Sequence, residues 1–237
     1  MSNPMHTTHP FIAALDETIN RYGLLKHPFY QRLTAGELSR WSLAEYAKQY
    51  YAHVKAFPTY VSAVHSRCDD LAVRQMLLEN IIEEEQGDDN HPELWLRFGE
   101  RLGLSREAVK AAGLLTATVD SVATMQRLTR SPDYREGIAA LYAYESQVPE
   151  VAATKREGLK MFYNIEDARS TAYFRVHEEA DVIHRHVERE VLVRHATDEA
   201  TQDRVLKVAD EAARAQWLFL DGVYNAYVDQ EVTRAEA

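Results

Sequence analysis

His177-Glu178-Glu179-Ala180-Asp181-Val182-Ile183-His184 is the stretch from which the fold and the chemistry of this chain can be read. On a helix turning about 100° per residue, His177, Asp181 and His184 fall within roughly 60° of one another over two turns. Two imidazoles and a carboxylate then point the same way, as a comb of metal ligands would. A lone histidine on a helix face is more often packed or solvated than metal-bound. The reading therefore turns on whether other segments supply further ligands.

Two upstream segments do. Tyr134 to Val148 has helical periodicity, with Ile138, Leu141, Tyr142 and Glu145 near one face. Glu145, flanked by Leu141, Tyr142 and Tyr144, is either a buried ligand or an exposed edge residue. Earlier still, a helix from Leu71 runs through Met76, Leu77, Ile81 and Ile82 into Glu83-Glu84-Glu85 and is expected to continue to His91, where Pro92 interrupts or restarts it. Glu84 and His91 would lie within about 20° of one face, whereas Glu83 and Glu85, roughly 80° and 120° away, read as solvated. Asp88 is a rival, because Asp88-x-x-His91 echoes Asp181-x-x-His184; Glu84 is preferred. His186 points away from His184, His195 lies too far along the axis, and His53 and His65 read as pocket or core residues.

The remainder of the chain is also helical in pattern. Its 237 residues are 46% apolar and 27% charged, and 9 Gly with 7 Pro are too few for the turns of an all-β chain, so the class is all-α. Pro10 to Gly23, Lys26 to Gly36 and Val119 to Leu128 read as helices, and Ser105 caps a short one ending near Gly113. Ser42-Leu43-Ala44-Glu45 has capping-box spacing and opens a long helix with Tyr46, Tyr50, Tyr51, His53, Phe57 and Tyr60, kinked at Pro58. Glu150 to Asp167 looks polar and less regular. Ser170 or Asp167 caps the helix of the opening comb, and a last long helix from Thr197 ends in a charged tail expected to fray. The expectation is a single bundle of seven or more helices over residues 1–237, with short flexible termini.

A formal charge of -10 leaves no electrostatic footprint for nucleic acid or an anionic membrane. No run of about 18 apolar residues occurs, and Met1 to Pro10 lacks a basic segment followed by an apolar one, so a cytoplasmic protein is expected. The one cysteine, Cys68, excludes a thiolate cluster and reads as a bystander. Any metal must be held by nitrogen and oxygen, which suits iron or manganese as well as zinc.

Glu84 with His91, Glu145, and His177 with Asp181 and His184 come from three expected helices. Three acids and three imidazoles facing a bundle interior are costly unless paired or metallated. Two divalent cations bring +4 against -3, so two metals make electrostatic sense. The set differs from ferritin-like proteins, whose helices supply two Glu and two Glu-x-x-His.

Glu84-x6-His91, the isolated Glu145 and His177-x3-Asp181-x2-His184 resemble the ligand pattern of the haem-oxygenase-like diiron oxidases. From Lys26-His27-Pro28-Phe29-Tyr30 to the last helix, the chain is most similar to the group containing the chlamydial protein associating with death domains and its bacterial relatives. The resemblance implies a haem-oxygenase-like (TenA/PqqC-like) bundle without haem, a homodimer, and a dinuclear Fe/Fe or Mn/Fe centre using O2 and an external reductant. It implies formation of p-aminobenzoate for folate synthesis by oxidative consumption of one of the protein's own tyrosines. By position these residues are Tyr30 as the consumed side chain, Lys155 as the nitrogen donor, and Tyr46, Tyr144 and Tyr173 as redox neighbours. Two other readings stay open: a diiron oxidase acting on an external amino acid, amine or fatty acid, and a protein whose role is to bind a partner.

Overall fold

The computed structural model describes residues 9–229, and the charged tail expected to fray extends beyond them. The described residues form α1 (Pro10–Asn20), α2 (Pro28–Ala35), α3 (Arg40–His65), α4 (Leu71–Glu85), α5 (His91–Arg101), α6 (Arg106–Lys110), α7 (Thr116–Leu128), α8 (Tyr134–Glu145), α9 (Val148–Tyr163), α10 (Ala172–His195) and α11 (Glu199–Tyr224). No strand occurs among them. None of these helices is long and apolar enough to cross a membrane.

The helix starts follow local chemistry. Pro10 and Pro28 occupy first turns, where a missing N–H costs nothing. Side chains of Asp70, Asn90, Ser105, Asp133 and Asp198 accept the otherwise unpaired backbone N–H groups of α4, α5, α6, α8 and α11.

Three local expectations need correction, on the start of α3, the start of α10 and the segment before it. Ser39, not Ser42, caps α3, its Oγ accepting from Ser42 N at 2.9 Å; Ser42 Oγ instead donates to the Tyr227 carbonyl. The helix continues through Pro58 to His65. Neither Ser170 nor Asp167 caps α10, which starts after Thr171; the Asp167 carboxylate accepts from Ser170 N in the preceding turn. The segment read as irregular contains α9. Its buried stripe of Val151, Ala152, Lys155, Gly158 and Leu159 includes a lysine and a glycine, which broke the apolar pattern. Gly158 is required by close approach: a Cβ there would lie 2.8 Å from Leu33 Cδ2 on α2.

Two apolar cores stabilise the bundle. One gathers Leu15, Val61, Leu141, Leu192 and Val205; the other gathers Phe29, Tyr46, Trp95, Phe174 and Leu220. The long helices α3, α10 and α11 pass through both, which holds the two cores in fixed register. Trp95 Nε1 donates to the Ala47 carbonyl at 2.8 Å and ties α5 to α3. The buried acids and imidazoles of the comb lie where α8 and α10 meet α4 and α5, between the two cores.

Candidate metal centre

The structure places Glu84, His91 and His177 in one cluster, and Glu145, Asp181 and His184 in another. Within each, the ligating atoms lie within 4.8 Å of one another. They come from four helices, not three, because α4 ends at Glu85 and α5 begins at His91. The common-face argument for Glu84 and His91 therefore does not hold. A break over residues 86–90 turns the chain back, so that His91 Nδ1 stands 2.8 Å from Glu84 Oε2. Asp88 lies in that break, exposed, and is no rival. Glu145, the last residue of α8, is only 2% exposed, which settles its alternative in favour of burial.

Burial sets the electrostatics of these groups. It pushes the Glu84 carboxyl well above its ordinary value, with Glu145 adding to the rise, and it raises Asp181 to about 6. His91 and His177 are lowered to about 4 by the same loss of solvation, so both imidazoles are neutral at pH 7. The Tyr173 carbonyl can only accept, so the His177 Nδ1 at 2.8 Å carries the proton and leaves Nε2 with a free lone pair. Burial also disfavours charge on His184, but hydrogen bonds to Asp181 and Glu145 outweigh it and raise His184 to about 11. Its Nδ1 is 3.0 Å from Glu145 Oε1, and its Nε2 is 3.0 Å from Glu83 Oε2. Glu83, read as merely solvated, is half exposed and closes the outer side of the cluster.

These residues suit a pair of divalent metals. Glu145 Oε2 and Asp181 Oδ2 are buried without any hydrogen-bond partner, and a cation would satisfy both. Nitrogen and carboxylate oxygen donors match iron or manganese. Two residues that the spacing argument passed over support the cluster. Asn80, one turn before Glu84, donates from Nδ2 to Glu145 Oε1 at 3.1 Å and stands 3.4 Å from His184 Nδ1. Glu188 is buried with neither oxygen partnered, and burial and Glu145 push its carboxyl well up. Asp181, His184 and Glu188 continue the comb at i, i+3 and i+7, a signal present in the sequence.

Beside the cluster lies an aromatic cavity lined by Tyr30, Tyr144, Tyr173 and Lys155, with Tyr46 outside its lining and bonded to Lys155. The Lys155 amine donates to Tyr46 OH and lies 5.4 Å from the Tyr30 ring centroid. Among the described residues no acid pairs with it, and burial lowers it to about 7. The Tyr30 phenol is raised by burial, then by Tyr50. Tyr50 was not singled out in sequence, although it follows Tyr46 by one helical turn. It accepts a hydrogen bond from Tyr144 OH at 3.1 Å. Tyr50, Tyr144, Val148 and Tyr173 line both this cavity, of about 30 Å³, and the metal-side cavity, of about 10 Å³. Three phenols thus form the wall between metals and lysine.

The remaining candidates stand apart from the cluster. His186 is exposed, and His195 bonds Tyr134 OH at 2.9 Å. Cys68 is buried, with burial raising its thiol, as suits a bystander. His53 is buried in the aromatic cavity with neither ring nitrogen partnered.

Residues 44–217 match the family model described as iron-containing redox enzyme. The chain is 43% identical over 216 residues to the 4-aminobenzoate synthase of Chlamydia pneumoniae, covering 91% of this chain and 96% of that one. It is 39% identical over 229 residues to the 4-aminobenzoate synthase of Nitrosomonas europaea, covering 93% of each. Among solved structures, a TenA homologue from Pseudomonas syringae superposes with a TM-score of 0.77 at 15% identity, over 94% of this chain and 100% of that one.

Proposed function

Because the chain belongs to the iron-containing redox enzymes of the haem-oxygenase-like fold, we propose that it forms 4-aminobenzoate by oxidising its own Tyr30, with Lys155 giving the amino nitrogen. The observation that carries this reading is the small size of the aromatic cavity. About 30 Å³ holds little more than a water or two, so the aromatic ring beside Lys155 is the protein's own. An external amino acid or fatty acid would have to displace packed side chains, which disfavours the external-substrate reading.

Glu84, His91 and His177 would hold one metal, and Glu145, Asp181 and His184 the other. Bound iron, or manganese with iron, would activate O2 with electrons from an external donor and supply the oxidising equivalents. The chain's residues do the rest. Tyr144 and Tyr173, whose rings line the metal side, exclude bulk water from the wall. Tyr46 holds the Lys155 amine beside the Tyr30 ring. With its value lowered to about 7, a large fraction of that amine is neutral at neutral pH and has a free lone pair, which a nitrogen donor requires. The Tyr30 ring already has the para-substituted benzene skeleton. The product is reached by cleaving its Cα–Cβ bond with oxidation of Cβ to carboxylate, for which O2 and the external donor supply oxygen and electrons. Its phenol oxygen is replaced by the Lys155 nitrogen as the Nζ–Cε bond breaks.

The test is to load the protein with iron, or with iron and manganese, and supply reductant and O2 without organic substrate. 4-Aminobenzoate should appear with a matching fall in intact mass. Both changes should vanish in Tyr30→Phe while metal content stays the same. Product from Tyr30→Phe would overturn the assignment.

A further inference from the structure

Resting on the reading of Tyr30 as the source of the aromatic ring, we propose that a chamber on the outer side of Leu24 and Val151 binds 4-aminobenzoate by its carboxylate and is the route by which the product leaves. A ring cut from Tyr30 starts in an aromatic cavity of about 30 Å³ and has to reach solvent. On the metal side that cavity meets a space of only about 10 Å³, too small to pass a benzoate. Beyond Leu24 and Val151 lies a chamber of about 350 Å³, a size that holds a small organic ligand. Leu24 and Val151 line both spaces, so one layer of aliphatic side chains separates Tyr30 and Lys155 from the chamber.

The chamber suits an anion with an apolar body. Arg185 and Arg189, one turn apart on α10, line it together with Lys26, Asp16 and Glu150, so cations outnumber acids by one. Each guanidinium engages its neighbours through a single nitrogen. Arg185 Nη1 donates to the Ser146 carbonyl at 2.9 Å and to Glu150 at 3.0 Å, and Arg189 Nη2 donates to Asp16 at 2.6 Å. The other N–H groups of both arginines have no protein acceptor among the described contacts, and their fork matches a carboxylate. Asp16 does not compete for them, because its second oxygen accepts from Tyr142 OH. Ile19, Leu24, Leu25 and Val151 give the chamber an apolar wall for a benzene ring.

The layer between the two spaces is held by few bonds. Leu24 lies on a short turn, Leu24–Lys26, between α1 and α2, and its amide donates to Gln147 Oε1 at 2.8 Å. Gln147 sits at the junction of α8 and α9, where its Nε2 and the Ser146 Oγ are buried without partners. Unpaired donors at such a junction cost free energy, and a carboxylate crossing it would satisfy them. The outer side is open to water: Asn20, Lys26 and Glu150 are exposed.

The first experiment adds 4-aminobenzoate to the metal-free full chain, so binding is read whether or not the chain makes the compound. Titration by saturation-transfer NMR should show binding of 4-aminobenzoate and benzoate, with 4-aminobenzamide, which lacks the charge, at least about tenfold weaker. Arg185→Gln should weaken 4-aminobenzoate about tenfold, and the double change Arg185→Gln with Arg189→Gln further still. Equal affinity for the amide, or unchanged affinity in both variants, overturns the site. The second experiment follows the iron-loaded chain with reductant and O2. In Leu25→Trp, which fills the chamber from its rim, free product collected by ultrafiltration should lag behind loss of the Tyr30 ring read by intact mass, whereas the two coincide in the unsubstituted chain. Coincident curves in Leu25→Trp overturn the route. An unsubstituted chain that keeps its Tyr30 ring overturns the reading of Tyr30 instead, and the carboxylate site then stands or falls on the first experiment.

Discussion

Across the wall of Tyr50, Tyr144 and Tyr173, two buried regions handle polarity in opposite ways. On the metal-cluster side, acids and imidazoles gather in two groups of three, the ligating atoms within each lying within 4.8 Å of one another, and carboxylate oxygens of Glu145 and Asp181 are left without partners. On the lysine side, phenols surround a single amine with no acid paired to it among the described residues, and burial keeps a large fraction of it uncharged at neutral pH. The first region leaves buried carboxylate oxygens that a cation would satisfy. The second is complete as folded and tolerates no charge cheaply. The bundle thus keeps its cluster of acids and imidazoles polar and its aromatic cavity dry, with phenols as the boundary.

The largest expected effect that could break this contrast is on the metal side. Glu145→Ala removes a candidate ligand and, if the cluster holds two ions as proposed, should lower bound metal to one ion per chain or fewer, measured by elemental analysis, with His184→Ala doing the same. Retention of both ions in either variant would remove the cluster from consideration. Asn80→Ala, which deletes a group supporting Glu145 and His184 without touching a ligand, should weaken metal affinity about 10- to 100-fold in a competition titration.

On the lysine side the contrast can be sharpened by pH. The folded value of Lys155, about 7, lies below its ordinary 10.5, so between those values the unfolded chain binds more protons than the folded one. Stability of the metal-free protein should therefore rise with pH across that window, relative to Lys155→Met, by up to about 1.4 kcal/mol per pH unit. Denaturant unfolding of both proteins from pH 7 to 10 measures the difference, and parallel curves would show Lys155 to be solvated or paired. The smallest effect belongs to His186, which lies on the opposite face of α10. His186→Ala should leave metal content unchanged and shift stability by no more than about 0.5 kcal/mol.

Legibility differed between the two regions for a physical reason. Asp181 and His184 could be paired from spacing because a helix fixes the angle between its own residues. The same rule extended to Glu188 had it been carried one turn further. It misled at Glu84 and His91, where a helix break rather than a shared face brings the two together. It was silent about Tyr50, because in a chain with 13 tyrosines one more aromatic on a helix face reads as core. Tyr30 and Lys155 were legible only through resemblance, since they lie on α2 and α9 and nothing local marks either one.

The sequence by itself determined the all-α class, the six polar residues able to meet at a metal pair and, by likeness to its relatives, the family. Periodicity, composition and residue type are properties of the chain alone. Only the tertiary structure decided that four helices rather than three supply those residues, that Glu145 is buried rather than exposed, and that Lys155 is buried with no acid paired to it among the described residues. Burial and contact depend on which helices pack together. Charge, hydrogen-bonding capacity and the cost of leaving a polar group unpaired acquire their values only after that packing is made.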